Sequence, residues 1–303
     1  MSAENSIINR GGSGLIAPLQ VVLRGIGQIM FQSNAWTGLA FLAGIALTSL
    51  WLAAGLILGA VIGPLVAYLL KYERSEIWSG LHGYNPALVG IALPFYLQPQ
   101  SVLTWGLMIL ACGLCVPFAK TARGLLKLPV YTAPFVIVTW LTLSMTHEFV
   151  GNSSDASPSV AVAKSESLVE STFAGLAEVM FGSTALTGLC FLAGLAVSDW
   201  RHAVMAFVGS AAGTGLSLYH HDPSAAIGLG IYGYNASLAA LAIFLWRPGL
   251  LLPIFAALIS VPLTEFFPKS LGIPALTAPF VIAAWGIILL SELEAKFIRS
   301  TEA

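Results

Sequence analysis

The residues of this chain best suited to handling a solute are a lone carboxylate and the ring beside it. Glu178 lies in Phe173-Ala-Gly-Leu-Ala-Glu-Val-Met-Phe-Gly182, a stretch with no other charge. A carboxylate within an apolar span costs about 3 kcal/mol on insertion scales, so it marks a functional position by default. Phe181 follows three residues later, on the same helix face. Gln28 and Phe31 repeat the pattern in Gly25-Ile-Gly-Gln-Ile-Met-Phe31. Each place therefore offers an oxygen acceptor and a flat ring. A packing role for Glu178, through an interhelical hydrogen bond, remains an alternative. Proton carriage is disfavoured, because Gln28 cannot titrate and no His or Asp partner lies nearby in sequence.

That correspondence belongs to a larger one, because the chain is one unit written twice. Phe31–Gly44 returns as Phe181–Gly194 with 10 of 14 positions identical. Gly83-Tyr84-Asn85 returns as Gly233-Tyr234-Asn235, an offset of 150. Pro129-Val-Tyr-Thr132-Ala-Pro134-Phe135 returns as Pro274-Ala-Leu-Thr277-Ala-Pro279-Phe280, an offset of 145. In a membrane chain such a duplication puts the working site at the seam between the halves.

The elements that must position these residues are membrane helices. Of 303 residues 57% are hydrophobic and 9% charged, which lies outside the range of soluble domains. Net charge is −1, so nothing points to nucleic acid. The first 15 residues lack the basic start and apolar core of a cleavable signal, so the first span is expected to remain as an anchor. Apolar segments fall near 16–33, 35–51, 53–70, 86–97, 102–118 and 130–146. A span takes about 20 apolar residues. The 86–97 segment is shorter and is read as a re-entrant helix.

The expected fold is thus an all-α polytopic membrane protein. It has two repeats of five transmembrane helices plus one re-entrant helix each. Five is odd, so the second copy enters from the opposite side and the repeats are inverted. The expected division is an amino-terminal tail 1–15, a first repeat 16–147, a linker 148–168, a second repeat 169–295 and a carboxy-terminal tail 296–303. With the N-terminus inside, seven basic residues (Arg10, Lys120, Arg123, Lys127, Arg247, Lys296, Arg299) are expected in the cytoplasm. Five (Lys71, Arg74, Lys164, Arg201, Lys269) are expected outside, a small bias in the usual direction.

Asn85-Pro86 reads as a helix start, with Asn as N-cap and Pro in the first turn, and Asn235 repeats it. Thr132-Ala-Pro134 and Thr277-Ala-Pro279 are similar. Irregular backbone at membrane depth must be buried or line a wet cavity, so these four starts are expected to converge near the symmetry axis. Each helix N-terminus carries roughly half a positive charge, which disfavours cations. The lining inferred from these residues has acceptors, threonine hydroxyls and rings, with no metal cluster and no cationic residue. Phe31 and Phe181, with Tyr84 and Tyr234, are read as slots, and Leu88 and Leu238 as the walls of the centre. A flat neutral molecule rich in N–H donors suits such a lining, which replaces part of its hydration.

The doubled Gly-Tyr-Asn-x-x-Leu and Leu/Ile-Pro-x-x-Thr-Ala-Pro-Phe motifs resemble those of urea transporters, bacterial members in particular. The resemblance covers nearly all of residues 16–295. It implies a facilitative urea pore through each protomer of a homotrimer in a bacterial inner membrane, with urea stacking between rings and donating to a ladder of oxygens. Through matching motifs, Gln28 and Glu178 correspond to polar residues flanking the filter, and Phe31 with Tyr84 to its aromatic slot. Thr132 and Thr277 correspond to the constriction, and Leu88 and Leu238 to nearby apolar walls. Tyr84 stands where a phenylalanine can occur, and Phe181 and Tyr234 follow by symmetry. No cofactor is implied.

Three further features read as structure. Cys112 and Cys115 are small packing residues in a span, and Gly55, Gly59 and Gly63 bring helices together within one protomer. His220-His221-Asp222 reads as a solvated turn, with a metal or regulatory site as the alternative. Two other functions stay open at this point: an ion- or proton-coupled transporter of a small neutral solute, and a water or ammonia channel. No nucleophile–base pattern supports an enzyme.

Overall fold

The computed structural model describes residues 16–150, 167–182, 184–268 and 272–301. The expected amino-terminal tail and most of the linker 148–168 lie outside the described residues. The described residues form helices and no strands. In the first half these are α1 (Ile16–Gly27), a 3-10 turn (Gln28–Met30), α2 (Ala35–Thr48), α3 (Leu50–Leu69), α4 (Arg74–Trp78), α5 (Tyr84–Tyr96), α6 (Val102–Leu125) and α7 (Ala133–Val150). The second half repeats the order as α8 (Leu168–Glu178), α9 (Ala185–Ser198), α10 (Trp200–Tyr219), α11 (Ser224–Gly228), α12 (Gly233–Trp246), α13 (Leu251–Glu265) and α14 (Ala278–Thr301). The short helices α4 and α11 went unread in the sequence because they are five residues each and only partly apolar. α14 runs on to Thr301, past residue 295 where the second repeat was expected to end.

Corresponding helices of the two halves pack antiparallel. Thr37 of α2 donates to the Gly194 carbonyl of α9 at 2.7 Å, and Thr187 of α9 donates to the Gly44 carbonyl of α2 at 3.1 Å. Midway, the Phe41 and Phe191 rings lie 4.8 Å apart. The indole N–H of Trp140 reaches the Pro274 carbonyl at 2.7 Å, and that of Trp285 reaches the Pro129 carbonyl at 2.7 Å. Such exchange, in which residue i meets j of the other copy and j meets i, is what a local two-fold produces.

The chain between Tyr72 and Ser101 does not return to the face it left, which corrects the expectation of a re-entrant 86–97 segment. Lys120 of α6 binds Glu76 of α4 at 2.9 Å, and Arg123 reaches His82 at 3.3 Å. Lys120 lies 18 residues beyond Val102, about 27 Å at helical rise. The 97–101 connection is therefore at the far end from Glu76, and α5 and α6 form an antiparallel hairpin. The start of α5 meets the middle of α6, where the Cys112 thiol donates to the Pro86 carbonyl at 3.2 Å. Lys71 and Arg74 thus share an end with Lys120 and Arg123, and were wrongly separated by reading α5 as a loop-back.

Close backbone contact accounts for the glycine stripe of α3. A Cβ on Gly55, Gly59 or Gly63 would strike the backbone carbonyls of Gly90, Pro86 and His82, so the stripe seats α3 on α5 within the chain. α5 and α12 are apolar on all sides and buried over most of their length, as a central helix must be. The outer helices turn Trp36, Leu50, Val102 and Leu251 outward, each at least two-thirds exposed. Leu50–Leu69 and Val102–Leu125 are long and apolar enough to cross a membrane.

Candidate functional site

The four expected helix starts do meet, through a different set of bonds from the one foreseen. The Thr132 and Thr277 hydroxyls pair at 2.6 Å across the two halves. Asn85 does not cap its own helix, since α5 begins at Tyr84 with Gly83 before it. Its Oδ1 instead accepts from the Phe135 N–H of α7 at 3.1 Å, and its Nδ2 donates to the Tyr131 carbonyl at 3.3 Å. Asn235 repeats this on Phe280 N–H at 3.1 Å and the Leu276 carbonyl at 3.2 Å. The physical reason is position: one residue inside its helix, the amide projects sideways to the neighbouring helix start. Asn85 thereby supplies the cap that Thr132 would otherwise provide, leaving the threonine hydroxyl for its partner.

The tyrosines support the same carbonyls. Tyr84 OH donates to the Tyr131 carbonyl at 2.7 Å, and Tyr234 OH to the Leu276 carbonyl at 2.6 Å. Both phenols are therefore turned aside into the frame. The residues they hold, Tyr131 (φ 44°) and Leu276 (φ 47°), are left-handed, a conformation that costs an ordinary residue about 1–2 kcal/mol.

Phe31 (φ 63°) and Phe181 (φ 59°) are left-handed too. Each ends a helix where glycine is the usual residue. Phe31 N–H donates to Gln28 O and Gln32 N–H to Gly27 O, both at 3.0 Å. Phe181 N–H donates to Glu178 O at 3.1 Å and Gly182 N–H to Ala177 O at 3.0 Å. These are Schellman closures with a ring at the glycine position. Strain kept at equivalent places in both halves points to a use for the ring.

On the Glu178 side there is a cavity of about 200 Å³, lined among others by Glu178, Phe181, Tyr234 and Thr277. Tyr96 and Phe135 complete its aromatic wall. Phe181 packs on Phe95 at 4.7 Å and on Tyr96 at 5.8 Å. Glu178 is half-buried and opens on this cavity, and its carboxylate makes no hydrogen bond to any described residue. Gln28, Phe31, Tyr84 and Thr132 do not line it. On their side Phe31 meets Tyr131 at 5.8 Å and Phe280 at 6.1 Å, and Gln28 Nε2 donates to the Ser79 carbonyl at 3.2 Å.

The aromatic partners of Phe31 are therefore Tyr131 and Phe280, not Tyr84. Phe31 meets the Thr-Ala-Pro-Phe ring of the opposite half, Phe280, and Phe181 shares the cavity lining with its equivalent, Phe135. Phe135 and Phe280 were visible in the duplicated motif; what the sequence did not carry was the crossing between halves. Tyr96 and Phe95 had no such signal, because Trp246 and Leu245 stand at their places in the second copy. Leu88 and Leu238 are buried in the core and do not line the cavity, so they back the site from within the helix packing.

Outside the helical core, His82 is buried between Glu76 (3.1 Å) and Arg123 (3.3 Å).

An all-helical chain in two matching halves, with apolar outer faces and an acid-bearing cavity near the seam, has the build of a membrane transport protein. A family model described as Urea transporter matches residues 19–292. The chain is also 30% identical over 297 residues to Urea transporter 1 of Ovis aries, covering 89% of this chain and 76% of that protein. Urea transporter 1 of Rattus norvegicus is 29% identical over 293 residues, with 89% and 76% covered. That of Mus musculus is 28% identical over 305, with 92% and 78% covered. The chain belongs to the urea transporter family, which consists of membrane-integral transport proteins and not enzymes.

Proposed function

We propose that this protein lets urea pass down its gradient through a narrow passage at the seam of the two halves. The observation that carries the reading is the chain of Glu178, Phe181 and Thr277 on one cavity, joined by the 2.6 Å threonine pair to the matching Thr132 side. Urea is planar and neutral, with four N–H donors and one carbonyl. It can lay its faces on the rings and turn its donors toward Glu178 and the threonine oxygens, so little hydrogen bonding is lost on leaving water. An ion would lose hydration that these groups cannot replace. A coupled transporter finds less support, since no second acid lines this cavity.

The proposed topology keeps inverted repeats and relocates the half-span element. Antiparallel packing of α2 on α9 supports inversion, which requires an odd number of crossings per repeat. Because the stretch through α5 crosses, the element that does not is α1, and α8 in the second copy; both break at the acceptor–ring pair. All described basic residues except Arg24 then fall at one end: Lys71, Arg74, Lys120, Arg123, Lys127, Arg201, Arg247, Lys296 and Arg299. The sequence alone distributed them over both faces. This end is the cytoplasmic one by the positive-inside rule, and it carries both termini. The membrane is a bacterial inner membrane, and three copies assemble with one passage each.

Stopped-flow light scattering on proteoliposomes tests the function. Rapid urea permeation that is the same with and without a proton or sodium gradient is the expected result. Urea movement that needs either gradient would replace the passive passage with a coupled transporter.

A further inference from the structure

One place in the fold carries opposite chemistry in the two halves. In the first, the Lys120 ammonium sits on Glu76 at 2.9 Å, beside the end of α3. The Val116-Pro117 and Val261-Pro262 steps align α6 with α13, so Glu265 stands where Lys120 does. Asp222 stands where Tyr72 does, next to the left-handed His221 that matches left-handed Lys71 (φ 58° in each). The second half has thus exchanged a cation for a carboxylate and set a further carboxylate and a histidine beside it.

His220 Nδ1 lies 2.8 Å from Glu265 Oε1. One donor atom each from His220, Asp222 and Glu265 lie within 4.8 Å of one another. Asp222 Oδ2 is buried with no hydrogen-bond partner. Two carboxylates gathered at one point without a cation repel each other unless a proton or a metal ion is shared. We propose that His220, Asp222 and Glu265 bind a divalent transition-metal ion, which takes in the second half the place held by the Lys120 ammonium in the first. One imidazole and two carboxylates are a donor set for zinc and its neighbours. At zinc–ligand lengths of about 2.0–2.2 Å tetrahedral donors stand about 3.3–3.6 Å apart, so donors up to 4.8 Å apart close by about 1.2–1.5 Å as their side chains rotate, and an outer position is left for water.

The site joins the end of α10 to the end of α13. Its neighbour Thr264 lines the cavity and accepts from Asn235 at 3.3 Å, so the ion would tie down the backbone that carries the cavity wall.

The test is calorimetric titration of Zn²⁺ into tag-free, full-length protein in detergent, without urea. One saturable equivalent per protomer is expected, with a zinc-dependent rise in melting temperature. Glu265→Gln and His220→Ala should each weaken binding about ten-fold or more, the scale on which even outer-shell changes act. His202→Ala, at a histidine bonded to Gln32 instead, should bind as the parent does. Glu265→Lys, which rebuilds the first half's chemistry, should lose zinc yet melt no lower than the metal-free parent. Absence of saturable binding, or equal binding by Glu265→Gln and His220→Ala, overturns the proposal.

Discussion

Replacing Asn85 with Ala removes one of the two side chains that tie α5 to the start of α7. Two bonds are lost at once, from Phe135 N–H at 3.1 Å and to the Tyr131 carbonyl at 3.3 Å. The two losses are unequal. Phe135 N–H is a buried helix-end donor left with no partner, a cost of about 1–3 kcal/mol. The Tyr131 carbonyl keeps Tyr84 OH at 2.7 Å, so its loss adds about 0.5–1 kcal/mol. The expected total is about 2–3 kcal/mol, or a fall of roughly 3–5 °C in the melting temperature of purified protein. Tyr84→Phe alone should cost only about 1 kcal/mol, since Asn85 still serves the carbonyl. The double variant should exceed the sum, because the left-handed Tyr131 then loses both donors. Asn85→Asp should be no better than Ala, since it keeps the acceptor but turns a carboxylate oxygen on the Tyr131 carbonyl. Asn235→Ala should match Asn85→Ala through the equivalent bonds. A shift under 1 °C for Asn85→Ala, or strict additivity with Tyr84→Phe, would refute the shared-carbonyl account.

Two further outcomes are expected. Thr132→Val or Thr277→Val alone leaves the other hydroxyl buried without its 2.6 Å partner and should cost about 1–2 kcal/mol; the double valine should cost less than the sum and should slow urea flux. Glu178→Ala should lower urea permeability while leaving the melting temperature near that of the parent; unchanged flux in correctly inserted protein would make Glu178 a packing residue.

The features legible in the sequence were those written twice. The acceptor–ring pairs, the Asn of Gly-Tyr-Asn and the threonines of Thr-Ala-Pro-Phe recur at fixed offsets, and the threonines and one acceptor–ring pair reach the same cavity region. The route of the chain was harder to read. α5 has 13 residues, and length alone cannot separate a helix that loops back from one whose crossing starts with the irregular stretch 79–83. Only the contact of Lys120 with Glu76 decides between them. Which ring faces which was also hidden, because each pair is made between halves and depends on the angle at which they cross. The same holds for His220 and Glu265, which stand 45 positions apart on different elements, so no spacing in the sequence joins them.

The most direct test of the passage is an anomalous difference map from crystals soaked in selenourea, which keeps the planar shape and N–H donors of urea and adds a heavy scatterer. The account predicts a peak in the cavity beside Glu178 and Phe181, close to the threonine pair. Peaks confined to the outer faces or to the boundary between protomers, with the cavity empty at saturating selenourea, would contradict it.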